Sequence, residues 1–200
     1  MAVRTCLWCG EPIQLNFDNR FVAHLTVESN PKECKGSYEQ QLMKAEIIVT
    51  SGDMFSVNAD GIVNPCNALG IAGAGLSKLF REMYPDNFEL YVEACKNRVL
   101  KHSIVFMTHN PERRHPFVFN FPSKPNPRIP ANLGNISSTM PSFIQKLKEA
   151  QIMGLSSVVV PALGCGLGGL SWDKVLLILQ YYLERVEWTF PITIYLFGPQ

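Results

Sequence analysis

The 200-residue sequence lacks a long hydrophobic run and a large excess of either charge. No stretch approaches ~18 consecutive apolar residues, which argues against a membrane-spanning helix. The first residues, MAVRTCLWCGEPIQL, lack the apolar core of a signal peptide, so we expect neither export nor membrane insertion. A formal net charge of +1 gives no general attraction to nucleic acids or membrane surfaces. These absences predict a cytoplasmic protein with no membrane partner, and we expect a monomer.

The charge is nevertheless uneven along the chain. The segment from Lys96 to Arg128 holds seven Lys or Arg residues, one acid (Glu112) and three of the four histidines. A run of this kind is usually a solvated face, and the alternative is a surface that faces a polyanion.

Cysteine is well represented, and its spacing in residues 1–44 indicates a metal site. Cys6-x-x-Cys9 is followed by Gly10 and later by His24 and Cys34, a set of ligand types that holds zinc tetrahedrally. Cytoplasmic thiols stay reduced, and a segment of ~40 residues is too small to be stabilised by apolar burial alone. We therefore predict a structural Zn²⁺ in a zinc-ribbon-like module.

Within this module, residues 13–17 and 20–25 have strand patterns on either side of Asp18-Asn19, which predicts a hairpin. Two alternatives remain for the cysteines. The Cys-x-x-Cys spacing could be a chance feature of a cysteine-rich tail, or Cys6 and Cys34 could form a disulfide. Four protein ligands would leave no open position on the metal, so we expect no catalytic zinc.

The remainder, residues 45–200, alternates strand and helix patterns. Strands are predicted at residues 46–50, 61–64, 103–107, 117–121, 157–160 and 192–197. Helices are predicted at 75–83, 141–150 and 171–187, with a further helix capped by Asp86 and with Glu89 completing a capping box. This alternation predicts an α/β domain of three layers, α/β/α, with a mixed or mainly parallel sheet.

Two glycine-rich stretches follow predicted strands, at residues 62–76 and 161–170. Ligands of such sheets bind beyond the strand ends, so both stretches belong to one ligand-binding edge. Neither stretch has the Gly-Lys-Ser/Thr of a phosphate-binding loop of the Walker type. Their backbone amides near helix N-termini suit a diphosphate bound without metal, so we expect no cofactor for catalysis.

Several motifs in this part of the chain resemble those of macrodomains, which bind ADP-ribose. They are Gly52-Asp53, Val63-Asn64-x-x-Asn67, Gly73-Ala74-Gly75 and Pro161-x-x-Gly164-Cys165-Gly166, and the resemblance covers residues 46–197. Within the family, residues 84–88, 120–124 and 164–172 are most similar to DNA ADP-ribosyl glycohydrolases of the DarG type. The next most similar members are the terminal ADP-ribose glycohydrolases of animals.

The resemblance implies a role for each matching residue. The ADP-ribose contacts it implies are Asp53, Met54, Asn64, Gly73, Ala74, Gly75, Gly164, Cys165, Gly166, Leu167, Gly168 and Phe197. Asp53 would receive the adenine amino group and Phe197 would cover the adenine; the alternatives are a plain turn residue and a core residue. Asn67 would bind the distal ribose, or is only an Asx-turn residue. Lys124 would act on the anomeric carbon of that ribose, its backbone held extended by Pro125, or is only an exposed lysine that pairs with phosphate.

The function implied is that of an ADP-ribosyl glycohydrolase, which cleaves ADP-ribose from a modified target, a nucleic acid base such as one in DNA, at C1″ of the distal ribose. Two alternatives remain: a non-catalytic module that binds ADP-ribose, and an enzyme for a small derivative such as ADP-ribose 1″-phosphate. The chain departs from the family at two positions. Gly168 stands where the animal enzymes have an acid, and Asn126-Pro127 precedes Arg128 where DarG-type enzymes have His and Trp.

Overall fold

The computed structural model describes residues 4–5, 12–13 and 42–199. Strands β1 (Arg4–Thr5) and β2 (Pro12–Ile13) pair antiparallel. The four predicted zinc ligands lie outside the described residues, as do the strand predicted at 20–25 and most of that predicted at 13–17.

Strands and helices alternate along residues 42–199, as predicted. The strands are β3 (Glu46–Thr50), β4 (Gly61–Asn67), β5 (Phe106–His109), β6 (Phe117–Lys124), β7 (Ser157–Val160) and β8 (Thr193–Phe197). The helices are α1 (Gly75–Met83), α2 (Pro85–Lys96), α3 (Leu133–Ile152) and α4 (Trp172–Leu183). Among these described helices, none combines the length and apolar character needed to span a bilayer.

Strands β3 to β8 form one six-stranded mixed sheet in the order β3-β8-β7-β4-β6-β5. Every neighbouring pair is parallel except β5 and β6, which are antiparallel. The predicted α/β fold with a mixed sheet is therefore confirmed. Because five strands run in the same direction, their carboxyl ends lie along a single edge of the sheet.

Adjacent residues of a strand point to opposite faces of the sheet. Helices pack on both faces, so the fold has three layers. On β4, Ile62 belongs to a buried cluster with Phe80 of α1. The next residue, Val63, belongs to a larger cluster with Phe143 of α3 and Leu179 of α4. This alternation is the side-chain period of two that a strand imposes, and it places α1 on one face and the α3–α4 pair on the other.

Helix α3 begins earlier than the sequence predicts. The sequence predicts a start at Pro141. The helix instead begins at Leu133, contains Pro141, and is capped by Asn132, whose Oδ1 accepts a hydrogen bond from the Asn135 amide at 2.8 Å. The buried positions 136, 140, 143, 147 and 150 keep helical spacing across the proline, so burial outweighs the lost backbone hydrogen bond.

Two further local predictions are wrong. Helix α2 has Tyr84 as its N-cap and Pro85 in its first turn, and the predicted cap Asp86 instead accepts hydrogen bonds from Asn110 and Arg113, both at 2.7 Å. Strand β5 does not include Ser103. That residue has φ of +67°, a left-handed conformation that a strand cannot contain.

Candidate functional site

A cleft of about 980 Å³ lies beyond the carboxyl ends of the parallel strands. This volume falls within the range of about 300–1,000 Å³ that is typical of small-molecule sites. Its lining includes twelve of the fourteen residues that the sequence nominates for ligand binding or catalysis: Asp53, Met54, Asn67, Gly73, Ala74, Gly75, Lys124, Gly164, Gly166, Leu167, Gly168 and Phe197. Both glycine-rich stretches therefore meet at one edge, as the strand order requires.

Asn64 and Cys165 are not among the residues that line the cleft. Asn64 is 3% exposed, and its Nδ2 donates a hydrogen bond to Asn120 Oδ1 at 2.9 Å, inside a buried amide network that also includes Asn87. Cys165 is half-buried, and its thiol lies 3.7 Å from the Leu163 carbonyl oxygen. Burial raises the pKa of Cys165, which keeps it a thiol and not a nucleophilic thiolate.

The first loop (residues 68–74) connects β4 to α1 and is organised by Asn67. The Asn67 Oδ1 accepts hydrogen bonds from the amides of Leu69 at 3.0 Å and Ile71 at 3.3 Å, and its Nδ2 donates to the Ile71 carbonyl oxygen at 2.6 Å. The Asn67 carbonyl oxygen accepts from the Tyr91 hydroxyl at 2.7 Å. The Asx-turn alternative is thus what the structure contains, and the residue lines the cleft as well.

The glycines of the second loop (residues 161–171, between β7 and α4) serve different purposes. Gly164 has φ of +72°, which favours glycine. A Cβ on Gly168 would lie 2.3 Å from the Gly164 carbonyl oxygen, so the loop's own backbone excludes a side chain there. A Cβ on Gly166 would meet nothing within 4 Å. Of these three glycines, only Gly166 has open space at its Cβ position.

Lys124 is the last residue of β6 and lies in the cleft lining. Its Nζ donates a hydrogen bond to the Pro127 carbonyl oxygen at 3.3 Å. Pro127 lines the cleft too, so this contact fixes the amine beside the chain that leaves the strand. The side chain is half-buried, which leaves the amine accessible to a ligand.

The opposite end of the cleft lies beyond β3 and β8 and carries Asp53 and two aromatic rings. Asp53 Oδ1 accepts a hydrogen bond from the Phe55 amide at 3.0 Å and thereby caps the short 3-10 turn Met54–Ser56. Asp53 is exposed, so its second oxygen is available to a ligand. Phe197 is 5% exposed and belongs mainly to the core, with part of its surface in the cleft.

His115 supports this end of the cleft from below. Its Nε2 lies 3.0 Å from the Val57 carbonyl oxygen and its Nδ1 lies 2.6 Å from the Tyr84 hydroxyl. A carbonyl can only accept, so Nε2 carries the hydrogen and Nδ1 accepts from Tyr84. Burial, assisted by the positive charge of Arg114, lowers the pKa of His115 and keeps the ring neutral. Arg114 also donates to the Ser56 carbonyl, so both residues hold the turn that presents Asp53.

The two ends are separated by a distance that strand spacing fixes. Asp53 follows β3 and Lys124 ends β6, with β8, β7 and β4 between them. Four spacings of about 4.8 Å place the two ends about 19 Å apart. The glycine loops follow β7 and β4, between these ends, so the cleft suits an elongated ligand with anionic groups in its middle.

Sequence reasoning missed several cleft residues, notably Phe55, Ser123 and Pro127. Phe55 packs against Phe80 with ring centroids 5.3 Å apart, which leaves the ring beside Asp53 at the cleft. Its position two residues after Asp53 was the sequence feature that could have identified Phe55 as a cleft residue. No sequence signal marks Ser123, which lies at a local irregularity in the pairing of β4 with β6.

The polar groups of the cleft lining suit organic and anionic ligands. Within the described ranges, no three His, Cys, Asp or Glu side chains lie close enough together to hold a metal ion. Polar groups of the lining include backbone amides, hydroxyls, the Asn67 amide and the Lys124 amine.

Comparison with known proteins gives consistent matches. The curated protein "DNA ADP-ribosyl glycohydrolase" of Thermus aquaticus is 28% identical over 137 residues, which are 68% of this chain and 37% of that protein. The chain thus spans about a third of the length of this curated relative. The solved macrodomain of Thermus aquaticus DarG superimposes with a TM-score of 0.71 and 26% identity, over 78% of this chain and 99% of that one.

A second solved structure is the Thermosipho africanus DarTG in complex with ADP-ribose, with a TM-score of 0.67 and 27% identity. The match covers 76% of this chain and 41% of that one. The family model described as "Macro domain" matches residues 63–179, which include the first and second loops and Lys124. The chain belongs to the Macro domain family.

Proposed function

We propose that this macrodomain hydrolyses the bond between C1″ of the distal ribose of ADP-ribose and a modified base in DNA. The observation that carries the proposal is the placement of Lys124 and Asn67 together at one end of a cleft whose middle is lined by the two glycine loops. The names of the relatives support DNA as the modified target, and the ADP-ribose complex of the Thermosipho protein supports the ligand.

We infer that ADP-ribose lies along the carboxyl edge of the sheet. The adenine would sit between Phe55 and Phe197, with its amino group donating to Asp53. The diphosphate would accept hydrogen bonds from amides at the N-terminus of α1, which begins at Gly75, and from the amide of Gly166. The positive end of the α1 dipole stabilises a diphosphate without a metal. The distal ribose would then reach Lys124, about 19 Å from Asp53 by the strand spacing.

Among the described residues of the lining, the distal end offers an amine but no acid. Among the described residues of the lining, the carboxylate is that of Asp53, at the adenine end. A mechanism that protonates the departing base from a carboxylic acid therefore has no donor at the distal ribose within this lining. An amine nucleophile needs no such acid, because it releases a proton as it attacks.

The chemistry we propose begins with attack of Lys124 Nζ on C1″. The bond from C1″ to the base breaks, its electron pair leaves with the base nitrogen, and that nitrogen takes the proton released by the amine. The bound glycosylamine opens to an imine, and one water hydrolyses it to free ADP-ribose and regenerated Lys124. The Pro127 carbonyl would hold the amine in place, and the Asn67 turn would hold the loop against the ribose.

The test is chromatography of the products formed from three substrates. They are an oligonucleotide carrying ADP-ribose on a base, an ADP-ribosylated peptide, and ADP-ribose 1″-phosphate. We expect release of free ADP-ribose and unmodified oligonucleotide from the first. Addition of borohydride during turnover should reduce the imine and leave an ADP-ribosyl mass on Lys124, whereas the Lys124→Ala variant should show neither release nor adduct.

A non-catalytic ADP-ribose-binding module is the alternative favoured by two observations. The described lining has no carboxylate at its distal end, and hydrogen bonds already occupy Asn67. The same assay separates the two functions. ADP-ribose binding by calorimetry together with intact substrates after long incubation would establish a binding module. Cleavage of ADP-ribose 1″-phosphate alone would establish an enzyme for a small derivative.

We further propose that residues 1–44 bind one structural zinc through Cys6, Cys9, His24 and Cys34. Three thiolates and an imidazole are a donor set that zinc favours. The antiparallel pair β1–β2 supports the proposal, because these strands bracket the segment of sequence that contains Cys6 and Cys9. The boundary near residue 44, the cytoplasmic location and the monomeric state remain predictions.

A further inference from the structure

We propose that single-stranded DNA on either side of the modified base lies across a basic rim at the Lys124 end of the cleft. The basic rim consists of Lys96, Arg98, Lys101 and Arg128. This inference rests on the proposed function, since it assigns a path to the strand that carries the scissile bond. It commits the surface to one occupant, a flexible polyanion with unstacked bases.

The seven basic residues between positions 96 and 128 divide into two groups in the structure. Arg113 pairs with Asp86 at 2.7 Å, Arg114 donates to the Ser56 carbonyl, and Lys124 lies in the cleft. The four residues of the basic rim are all exposed, and within residues 42–199 none of their side chains forms an ion pair or hydrogen bond. Four exposed charges without a side-chain partner within residues 42–199 are complementary to phosphate.

Three members of the basic rim end or follow α2, the helix that packs against the first loop. The last turns of α2 pack directly on that loop, because a Cβ on Gly70 would lie 3.4 Å from Val92 Cα and 3.5 Å from Cys95 Cβ. The Asn67 carbonyl accepts from Tyr91 of the same helix. Lys96 ends α2, and Arg98 and Lys101 follow it. These charges therefore flank the loop that Asn67 organises.

Arg128 flanks the same mouth from the other side. It lies four residues after Lys124, in the chain whose Pro127 carbonyl holds the Lys124 amine. That chain enters α3 at Asn132. His102, which follows Lys101, lies 2.7 Å from Asn135 Oδ1 in the first turn of α3. The two sides of the basic rim therefore meet at the beginning of α3.

Exposed apolar side chains alternate with these charges. They are Leu69, Ile71, Val99, Ile104 and Ile129, each between 43% and 56% exposed. Val99 adjoins Arg98 and Ile129 adjoins Arg128 in the chain. A duplex presents phosphates but buries the faces of its bases, whereas a single strand presents both to a protein. Interleaved basic and apolar side chains therefore favour a single strand, which also allows a base to enter the cleft unpaired.

The backbone conformation of Arg98 gives a second argument for the basic rim and a variant that we expect to fold. It follows the C-cap of α2 with φ of +57°, the left-handed position at which glycine is preferred. The chain thus carries a charge where glycine would be less strained. The Arg98→Gly variant removes that charge and relieves the backbone, so a loss of DNA binding in it cannot be attributed to misfolding.

The experiment compares the intact chain with Arg98→Gly, with the double charge reversal Arg98→Glu/Lys101→Glu, and with a matched control, Lys44→Glu/Lys148→Glu. Lys148 lies about 22 Å along α3 from its first residue, at 1.5 Å per residue, and Lys44 precedes β3 at the opposite edge of the sheet. Both control lysines are exposed, and their reversal changes net charge equally. The substrates are an ADP-ribosylated single-stranded oligonucleotide of about 12 nucleotides, long enough for an OB-fold-sized site, and the corresponding ADP-ribosylated mononucleotide.

We expect the double reversal to raise KM for the oligonucleotide about tenfold or more, with kcat unchanged and the mononucleotide unaffected. For a fluorescent, unmodified single strand, the logarithmic slope of affinity against salt should become less steep by about 0.7 for each lost phosphate contact, including in Arg98→Gly. The control should match the parent in both measurements.

Several results would contradict the proposal that single-stranded DNA binds the basic rim. They are an unchanged KM and salt slope in the double reversal, an equal effect in the control, and equal affinity for a duplex of the same sequence. A parallel loss of cleavage of an ADP-ribosylated peptide would also exclude a DNA-specific path. If the parent cleaves no conjugate, the proposed function is wrong. The binding of unmodified single strand still tests whether DNA binds the basic rim.

Discussion

Lys124 is the register partner of Asn67 across the parallel strands β4 and β6, although plain pairing would place Ser123 there. Cys66 pairs with Pro122, and the next pair is Asn67 with Lys124, so Ser123 has no partner. The Ser123 hydroxyl donates to the Cys66 carbonyl at 3.3 Å, which stabilises the irregularity. The irregularity thus sets Lys124, and not Ser123, opposite Asn67 at the cleft.

Loss of the amine should separate catalysis from binding. If Lys124 acts at C1″, Lys124→Ala should lower kcat at least about 100-fold, because the group contributes mainly in the transition state. Affinity for ADP-ribose should stay within a few-fold of the parent, measured by calorimetry. A lysine that only pairs with phosphate would give the reverse, with weak binding and preserved turnover at saturation. The Lys148→Ala variant, on the exposed surface of α3, is the control.

Asn67 should prove to act through the first loop. Asn67→Ala removes two accepted hydrogen bonds and one donated hydrogen bond, and we expect a loss of about 1–3 kcal/mol in the free energy of unfolding. ADP-ribose affinity should fall as well, because the loop no longer holds its turn. Urea titration and calorimetry measure the two effects. Asn132→Ala, which removes the cap of α3 outside the cleft lining, should lower stability by about 1 kcal/mol without changing affinity.

The second loop should respond differently at two of its glycines. Gly166→Glu places bulk and negative charge in open cleft space, so ADP-ribose binding should be abolished while the melting temperature stays near that of the parent. Gly166→Ala is the neutral control and should still bind. Gly168→Ala should instead lower the melting temperature, because its Cβ would lie 2.3 Å from the Gly164 carbonyl oxygen. Unchanged affinity in Gly166→Glu would remove this loop from the diphosphate site.

The sequence was sufficient to predict the parts of this site that depend on strand order. Alternating patterns implied parallel strands, and parallel strands bring the loops after β4 and β7 to one edge. The sequence could not reveal the bulge at Ser123, since register depends on contacts between distant strands. Sequence reasoning also assigned contact with ADP-ribose to Gly164, Gly166 and Gly168 alike. A glycine in the sequence does not show whether its position has a left-handed φ, a close backbone contact or open space.

Zinc should be present at one equivalent in protein purified without chelator. Metal analysis by mass spectrometry measures it, and a Cys6→Ser/Cys9→Ser variant should lose the metal because two of four ligands are gone. ADP-ribose affinity should not change on metal removal, since the described cleft residues form no metal site. Absence of zinc together with a Cys6–Cys34 disulfide would contradict the zinc prediction and support the disulfide alternative.

Stability should fall below pH ~6.5 because of His115. Burial lowers the pKa of His115 in the folded protein, whereas the unfolded side chain has a pKa of about 6.5. As pH falls below that value, the unfolded state binds a proton that the folded state does not, so the free energy of unfolding decreases. Above pH ~7.5 both states are neutral and the contribution is constant. Between pH 7.5 and 5.5, one such group can remove at most about 1.4 kcal/mol.

Urea titrations at pH 7.5 and 5.5 measure this loss, and His115→Gln provides the comparison. The glutamine amide keeps one donor for Val57 and one acceptor for Tyr84 but does not titrate. The variant should be less stable than the parent at pH 7.5, and the difference should narrow at pH 5.5. The Asp60 carboxylate contributes little in this window, because its pKa is lowered from its ordinary value. Burial acts to raise the pKa of Asp60, but hydrogen bonds from Ser156 and Ser157 outweigh it and lower the pKa. An equal loss of stability in parent and variant would assign the pH dependence to other groups.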